Sequence, residues 1–116
     1  MKGLIIRSPW IELILEGKKT WEIRGANTKI RGKIALIKSG SGMVFGTIDL
    51  IDSKKLSLEE YQQSESFHKV PAQNCLQEPY KYTHAWIFQN PTPLKEPIPY
   101  KHPMGAVIWV NLPDTL

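Results

Sequence analysis

The sequence is short of cysteine, of long apolar runs and of glycine-rich phosphate loops, and each shortage removes a class of protein. A single cysteine, Cys75, excludes an intramolecular disulfide and a cysteine-rich zinc site. No apolar run approaches the roughly 20 residues of a membrane-spanning helix. The opening Met1-Lys2-Gly3-Leu4-Ile5-Ile6-Arg7 has neither the apolar stretch nor the cleavage site of a secretion signal. A cytoplasmic protein with no membrane partner is expected. His68, His84 and His102 are spaced too widely for a compact metal motif. Gly40-Ser41-Gly42 lacks the helix and spacing of a P-loop or dinucleotide turn. The residues alone therefore name no metal ligand set and no cofactor.

What remains is an ordinary globule. Hydrophobic residues make up 41% of the 116 and charged residues 22%, enough for one packed core and no second one. One domain over residues 1–116, and a monomer, are expected. The net charge is +4, unevenly spread. Residues 1–58 hold 11 Lys/Arg against 5 Asp/Glu, and residues 59–116 hold 4 against 6. Lys18, Lys19, Arg24, Lys29, Arg31, Lys33 and Lys38 face one opposing carboxylate, Glu22. Such a segment draws a polyanion if its cations share a face, and is a solvated surface if they do not.

Hydrophobic patterning gives the elements. Lys2–Arg7 is a strand whose Leu4, Ile5 and Ile6 are apolar in succession, as in a central strand. Ser8 as cap and Pro9 at the first position open a helix that Gly17 ends. Lys18–Arg24 alternates as a strand and Gly25-Ala26-Asn27 turns. Lys33–Ser39 and Met43–Ile51 are strands about the Gly40-Ser41-Gly42 turn, with a bulge expected at Gly46. Ser57 and Glu60 form a capping box for a helix running into Ser64–Ser66. Phe67–Pro79 has no clear period. Tyr80–Gln89 alternates as a strand. Pro91, Pro93, Pro97, Pro99 and Pro103 bar Asn90–Pro103 from a helix or a central strand, so it should wrap the surface extended. Gly105–Leu112 closes the sheet. Five or six short strands with few helices favour a compact mixed sheet or small barrel.

Gly17-Lys18-Lys19-Thr20-Trp21-Glu22-Ile23-Arg24 fits the pattern G-x-K-x-x-E-x-R. On this motif the chain resembles the ASCH domain family. Ile6-Arg7-Ser8-Pro9-Trp10 resembles the family's first strand and helix start. Ala85-Trp86-Ile87-Phe88-Gln89-Asn90-Pro91, Pro97-Ile98-Pro99-Tyr100 and Gly105 resemble its tail. The resemblance implies an α+β fold: a small PUA-like β-barrel of five or six strands with two or three flanking helices. It also implies a cleft between barrel and first helix, lined by the motif residues. RNA binding is the family's general proposal. Some small members resemble amidohydrolases that deacetylate N4-acetylcytidine, and others metal-assisted ribonucleases. A divalent metal is implied only under the last reading.

The expected partner is RNA or a modified nucleoside. Arg7, Ser8, Trp10, Lys19, Glu22, Arg24 and Lys38 are the expected ligand-binding residues. Lys19, desolvated, serves as base or clamp, with Glu22 beside it if the chain is an enzyme. Glu22 and Arg24 share a strand face and can pair. A strict strand puts Lys19 on the opposite face, so either the strand begins irregularly or Lys19 reaches around an edge. In amidohydrolase-like members the lysine works with a threonine and a helix glutamate. Here Glu22 stands at the threonine's place, and the helix acid is Glu59, Glu60 or Glu65. Trp10 either stacks a base or packs inward. Trp21, Trp86 and Trp109 read as core, and His84 as a hydrogen-bonded structural residue.

Overall fold

The structure, a computed structural model, describes residues 1–114. The elements are β1 (Lys2–Ile6), α1 (Trp10–Leu15), β2 (Trp21–Arg24), β3 (Gly32–Lys38), β4 (Met43–Lys55), α2 (Leu58–Gln63), α3 (Glu65–His68), β5 (His84–Pro99) and β6 (Trp109–Asn111). The strands form one sheet in the order β2-β5-β4-β3-β1-β6. β1 runs parallel to β3, and every other pairing is antiparallel. The fold is α+β, a six-stranded sheet curled into a half-barrel with three small helices.

The apolar run of β1 is explained by its central place between β3 and β6. Leu4 and Ile6 face the main core with Ile11 and Ile14 of α1, Leu36, Leu50 and Phe88. Ile5, on the opposite face, packs with Ile37, Val44 and Val110. A third cluster, Leu56, Tyr61, Cys75 and Ala85, seats α2 against the sheet. The curl brings the sheet's two ends together. Trp86 of β5 stacks on Trp109 of β6 with ring centres 5.7 Å apart. Both indoles pack in the main core, as expected.

Several boundaries differ from the sequence expectation. β2 begins at Trp21 rather than Lys18, because Lys18 and Lys19 are consumed in ending α1. Both their amides donate to the Leu13 carbonyl, and Gly17, at φ +79°, donates to that of Ile14. This is the left-handed helix ending that favours glycine. At the other end Pro9, not Ser8, occupies the cap position, and the Ser8 hydroxyl donates to the Glu12 carboxylate instead. The expected helix after Ser57 has its capping box, but breaks at Ser64 into α2 and α3. His84, not Tyr80, starts β5. The proline-rich stretch stays extended but does not merely wrap the surface: it continues β5 through Pro99 and pairs with β4. Proline is tolerated because β2 borders only the first part of β5, up to Ile87. Beyond it each proline is free to lack an outward donor.

Among the described residues no helix is long and apolar enough to cross a membrane.

Candidate functional site

Two local features of the sequence place Lys19. The glycine ending of α1 turns the chain, and Lys19 lies one turn residue before β2. Its backbone therefore escapes strand alternation, and its ammonium swings to the side of Glu22, 3.6 Å from Oε1. The irregular strand start is the alternative the structure takes. The second feature is α3. The Thr20 amide donates to the Phe67 carbonyl, and Lys19 Nζ donates to the His68 carbonyl at 2.6 Å. A lysine at the carbonyl end of a helix satisfies acceptors left over by the helix.

Lys19 is only 2% exposed, an uncommon state for a lysine. Burial pulls its pKa down from 10.5 to about 8, with Glu22 opposing that shift and the Arg24 charge adding to it. Its ammonium also lies 4.7 Å from the centre of the Trp10 ring. Glu22 is buried too. Its Oε2 accepts from Arg24 Nε at 3.1 Å and Nη2 at 2.9 Å. Arg24 Nη2 also donates to the Ile5 carbonyl at 3.0 Å, and the guanidinium rests over Trp86. Glu22 thus lies between two cations, one on each oxygen.

These side chains open on a cavity of about 360 Å³. Arg7, Trp10, Lys19, Glu22 and Arg24 line it, so the structure brings together these five expected site residues. Ser8 and Lys38 do not line it. They meet at Glu12 on the surface, where Lys38 lies 3.5 Å from the carboxylate that Ser8 bonds. The basic segment is likewise dispersed: Lys18 pairs with Glu16 and Arg31 with Asp52, while Lys29 and Lys33 are exposed. Glu59, Glu60 and Glu65 also stay outside the cavity. Glu60 completes the capping box and pairs with Lys54.

The sequence reading missed Tyr61 and Tyr80, which complete the walls. Burial pushes the Tyr61 phenol's pKa up, so it stays a hydroxyl. Gly25 makes room for Tyr80: a Cβ there would lie 2.7 Å from the tyrosine ring. Neither residue belongs to the eight-residue motif, and only the folded chain brings them to it. His68 was also missed. Its Nε2–H donates to the Tyr61 carbonyl at 2.7 Å, and its Nδ1 accepts from the Val70 amide at 3.0 Å. Burial lowers its pKa. The neutral ring satisfies both partners and fixes the carbonyl that holds Lys19. Trp21 is not in the main core. It stacks on Phe67 at 4.9 Å and packs beside the third cluster. His84 is the structural residue expected, its Nδ1–H donating to the Tyr82 carbonyl.

Glu22 is the lone carboxylate lining the cavity among the described residues, and both its oxygens face cations. That donor set does not fit a divalent cation, which takes several oxygen ligands. Nor do three or more His, Cys, Asp or Glu side chains gather elsewhere among the described residues in a metal-holding group.

The curled α+β sheet thus carries a lysine–glutamate–arginine triad at its cavity. Its sequence places it more closely. The ASCH domain pattern matches residues 4–98, and the chain belongs to the ASCH domain family. Solved structures agree on the fold. The ASCH protein of Zymomonas mobilis superposes with a TM-score of 0.70 at 16% identity, covering 84% of this chain and 72% of that one. A tyrosine-to-phenylalanine variant of that protein gives 0.71 at 16% identity, with 84% and 74% covered. A serine-to-alanine variant gives 0.74 at 15%, with 97% and 88% covered. No curated protein matches the chain.

Proposed function

We propose that the domain binds one modified nucleoside, free or unstacked from an RNA strand, in the cavity beside Lys19. The observation that carries this is the convergence of Lys19, Glu22 and Arg24 on one hollow walled by aromatic side chains. A nucleobase offers a flat π face and a rim of donors and acceptors. Trp10 and Tyr80 match the face, and the charged triad matches the rim. The volume, about 360 Å³, lies near the small end of ligand pockets, which favours a pyrimidine over a purine nucleoside in this cavity. Calorimetric titration with cytidine, N4-acetylcytidine, uridine and adenosine tests the reading. Saturable binding to a pyrimidine nucleoside is expected, lost in a folded Lys19→Met variant. Binding that survives this change refutes the site, and no binding to any of the four refutes the function.

One observation favours a second reading, hydrolysis of an acyl amide on such a nucleoside. A lysine brought to about 8 is partly neutral near neutral pH, and a neutral amine beside a carboxylate can take a proton from attacking water. Release of cytidine from N4-acetylcytidine, rising with pH towards about 8 and abolished by Lys19→Arg, is the expected sign. Tight binding without turnover would leave the binding role alone.

A further inference from the structure

The cavity does not end at its own walls. A second room of about 450 Å³ adjoins it, and Ile5, Ser39 and Val107 line both. The two form one bent trough along the end of β1. The second room's chemistry differs. Neither Asp nor Glu lines it, and no charged triad stands in it. Gly40 and Gly42 give it a floor of bare backbone: a Cβ at either would meet nothing within 4 Å. Its distinctive wall is His102. That ring is exposed, yet both nitrogens are held. Nε2–H donates to the Ala106 carbonyl at 2.9 Å, and Nδ1 shares a 2.7 Å hydrogen bond with the Tyr100 hydroxyl. Tyr100 stands edge-on to it with ring centres 5.7 Å apart. An aromatic ring fixed in plane at the surface loses little freedom when a flat ligand lies on it.

We propose that this second room seats the neighbouring nucleotide of an RNA strand, its base stacked on His102, so that the preferred ligand is a dinucleotide unit rather than a free nucleoside. The inference rests on the nucleoside reading of the first cavity and extends it. A nucleoside filling the first room must send its sugar-phosphate link out through the open side, and the shared wall at Ser39 and Val107 leads into the second. Arg7, on the first cavity's lining and exposed, supplies a cation for the linking phosphate, and no carboxylate in the second room opposes it.

The test compares cytidine with the dinucleoside monophosphate CpC by calorimetric titration at fixed salt. CpC should bind about tenfold or more tighter, the scale expected of one stacked base. His102→Ala should bring CpC down to the cytidine value and leave cytidine binding unchanged. Tyr100→Phe, which frees Nδ1 but keeps the ring, should give an intermediate loss. If cytidine binds and CpC gains nothing, or if His102→Ala weakens both alike, the second seat is refuted while the first stands. If neither probe binds, both fall.

Discussion

At the residue scale, the decisive choice is a lysine where burial would ordinarily select an apolar side chain. Lys19 has three kinds of partner, a carbonyl, a carboxylate and an indole face, and none of them removes its desolvation penalty. That penalty makes a prediction with a definite sign. In the unfolded chain the amine keeps its ordinary value of 10.5, and in the folded protein it lies at about 8. Between those values the unfolded state binds more protons, so stability from this group rises with pH across that window. Below about pH 8 both states are charged and the penalty is fully present. The difference in unfolding free energy between the protein and its Lys19→Met variant should thus be flat below about pH 8 and then grow in favour of lysine up to about pH 10.5. Urea denaturation of both proteins at several pH values measures it. A difference that falls over that range, or never changes, would show that Lys19 is not desolvated in solution.

At the element scale, backbone exceptions carry the geometry. Gly46 is one: the register of β4 against β5 shifts between Val44 and Gly46, as a glycine inside a strand suggested. A Cβ there would lie 2.6 Å from Leu15 and 2.7 Å from the Thr92 carbonyl oxygen, and the second neighbour is backbone that cannot rotate away. Gly46→Val should lower stability by about 1–3 kcal/mol, the cost of overpacking a filled site, and should loosen α1, which leans on that point through Leu15. Equilibrium unfolding checks the magnitude, and amide exchange in α1 checks the location. A variant as stable as the parent would contradict the close approach. The same contrast explains what was legible in the sequence. β1, the capping box at Ser57 and the bulge were readable because each depends on neighbours in sequence. The onset of β2 was not, since the ending of α1 claimed Lys18 and Lys19 first. The strand from Pro91 to Pro99 was hidden because proline bars a residue from a two-sided ladder, and only the topology reveals that one side is free. The site divided in the same way. Lys19, Glu22 and Arg24 sit in one motif, whereas Tyr61, Tyr80 and the His68 carbonyl reach it from distant segments.

At the scale of the whole molecule, the curled sheet has two free edges, β2 and β6, and it is closed by side chains rather than by a backbone ladder. The Arg24 guanidinium does much of this. β6 pairs with β1 as far as Leu4, the Ile108 carbonyl accepts from the Ile5 amide, and the Ile5 carbonyl takes Arg24 from β2 across the barrel mouth. The arginine that shapes the cavity therefore also ties the two ends of the sheet. Lysine cannot set two nitrogens on Glu22 Oε2 and reach Ile5 at once, because its single ammonium lacks the guanidinium's spread of donors. Arg24→Lys should cost about 2 kcal/mol, a typical value for losing hydrogen bonds to a charged group. The loss should be uneven, with faster amide exchange in β2 and at the end of β1, and little change where β3 pairs with β4. It should also weaken the proposed nucleoside binding, since Glu22 would lose the two guanidinium contacts that orient it. A stability loss spread evenly over the sheet would mean that the barrel is held by its core alone. The triad would then be free to serve the ligand only, and Arg24→Lys would weaken binding with no local opening of the mouth.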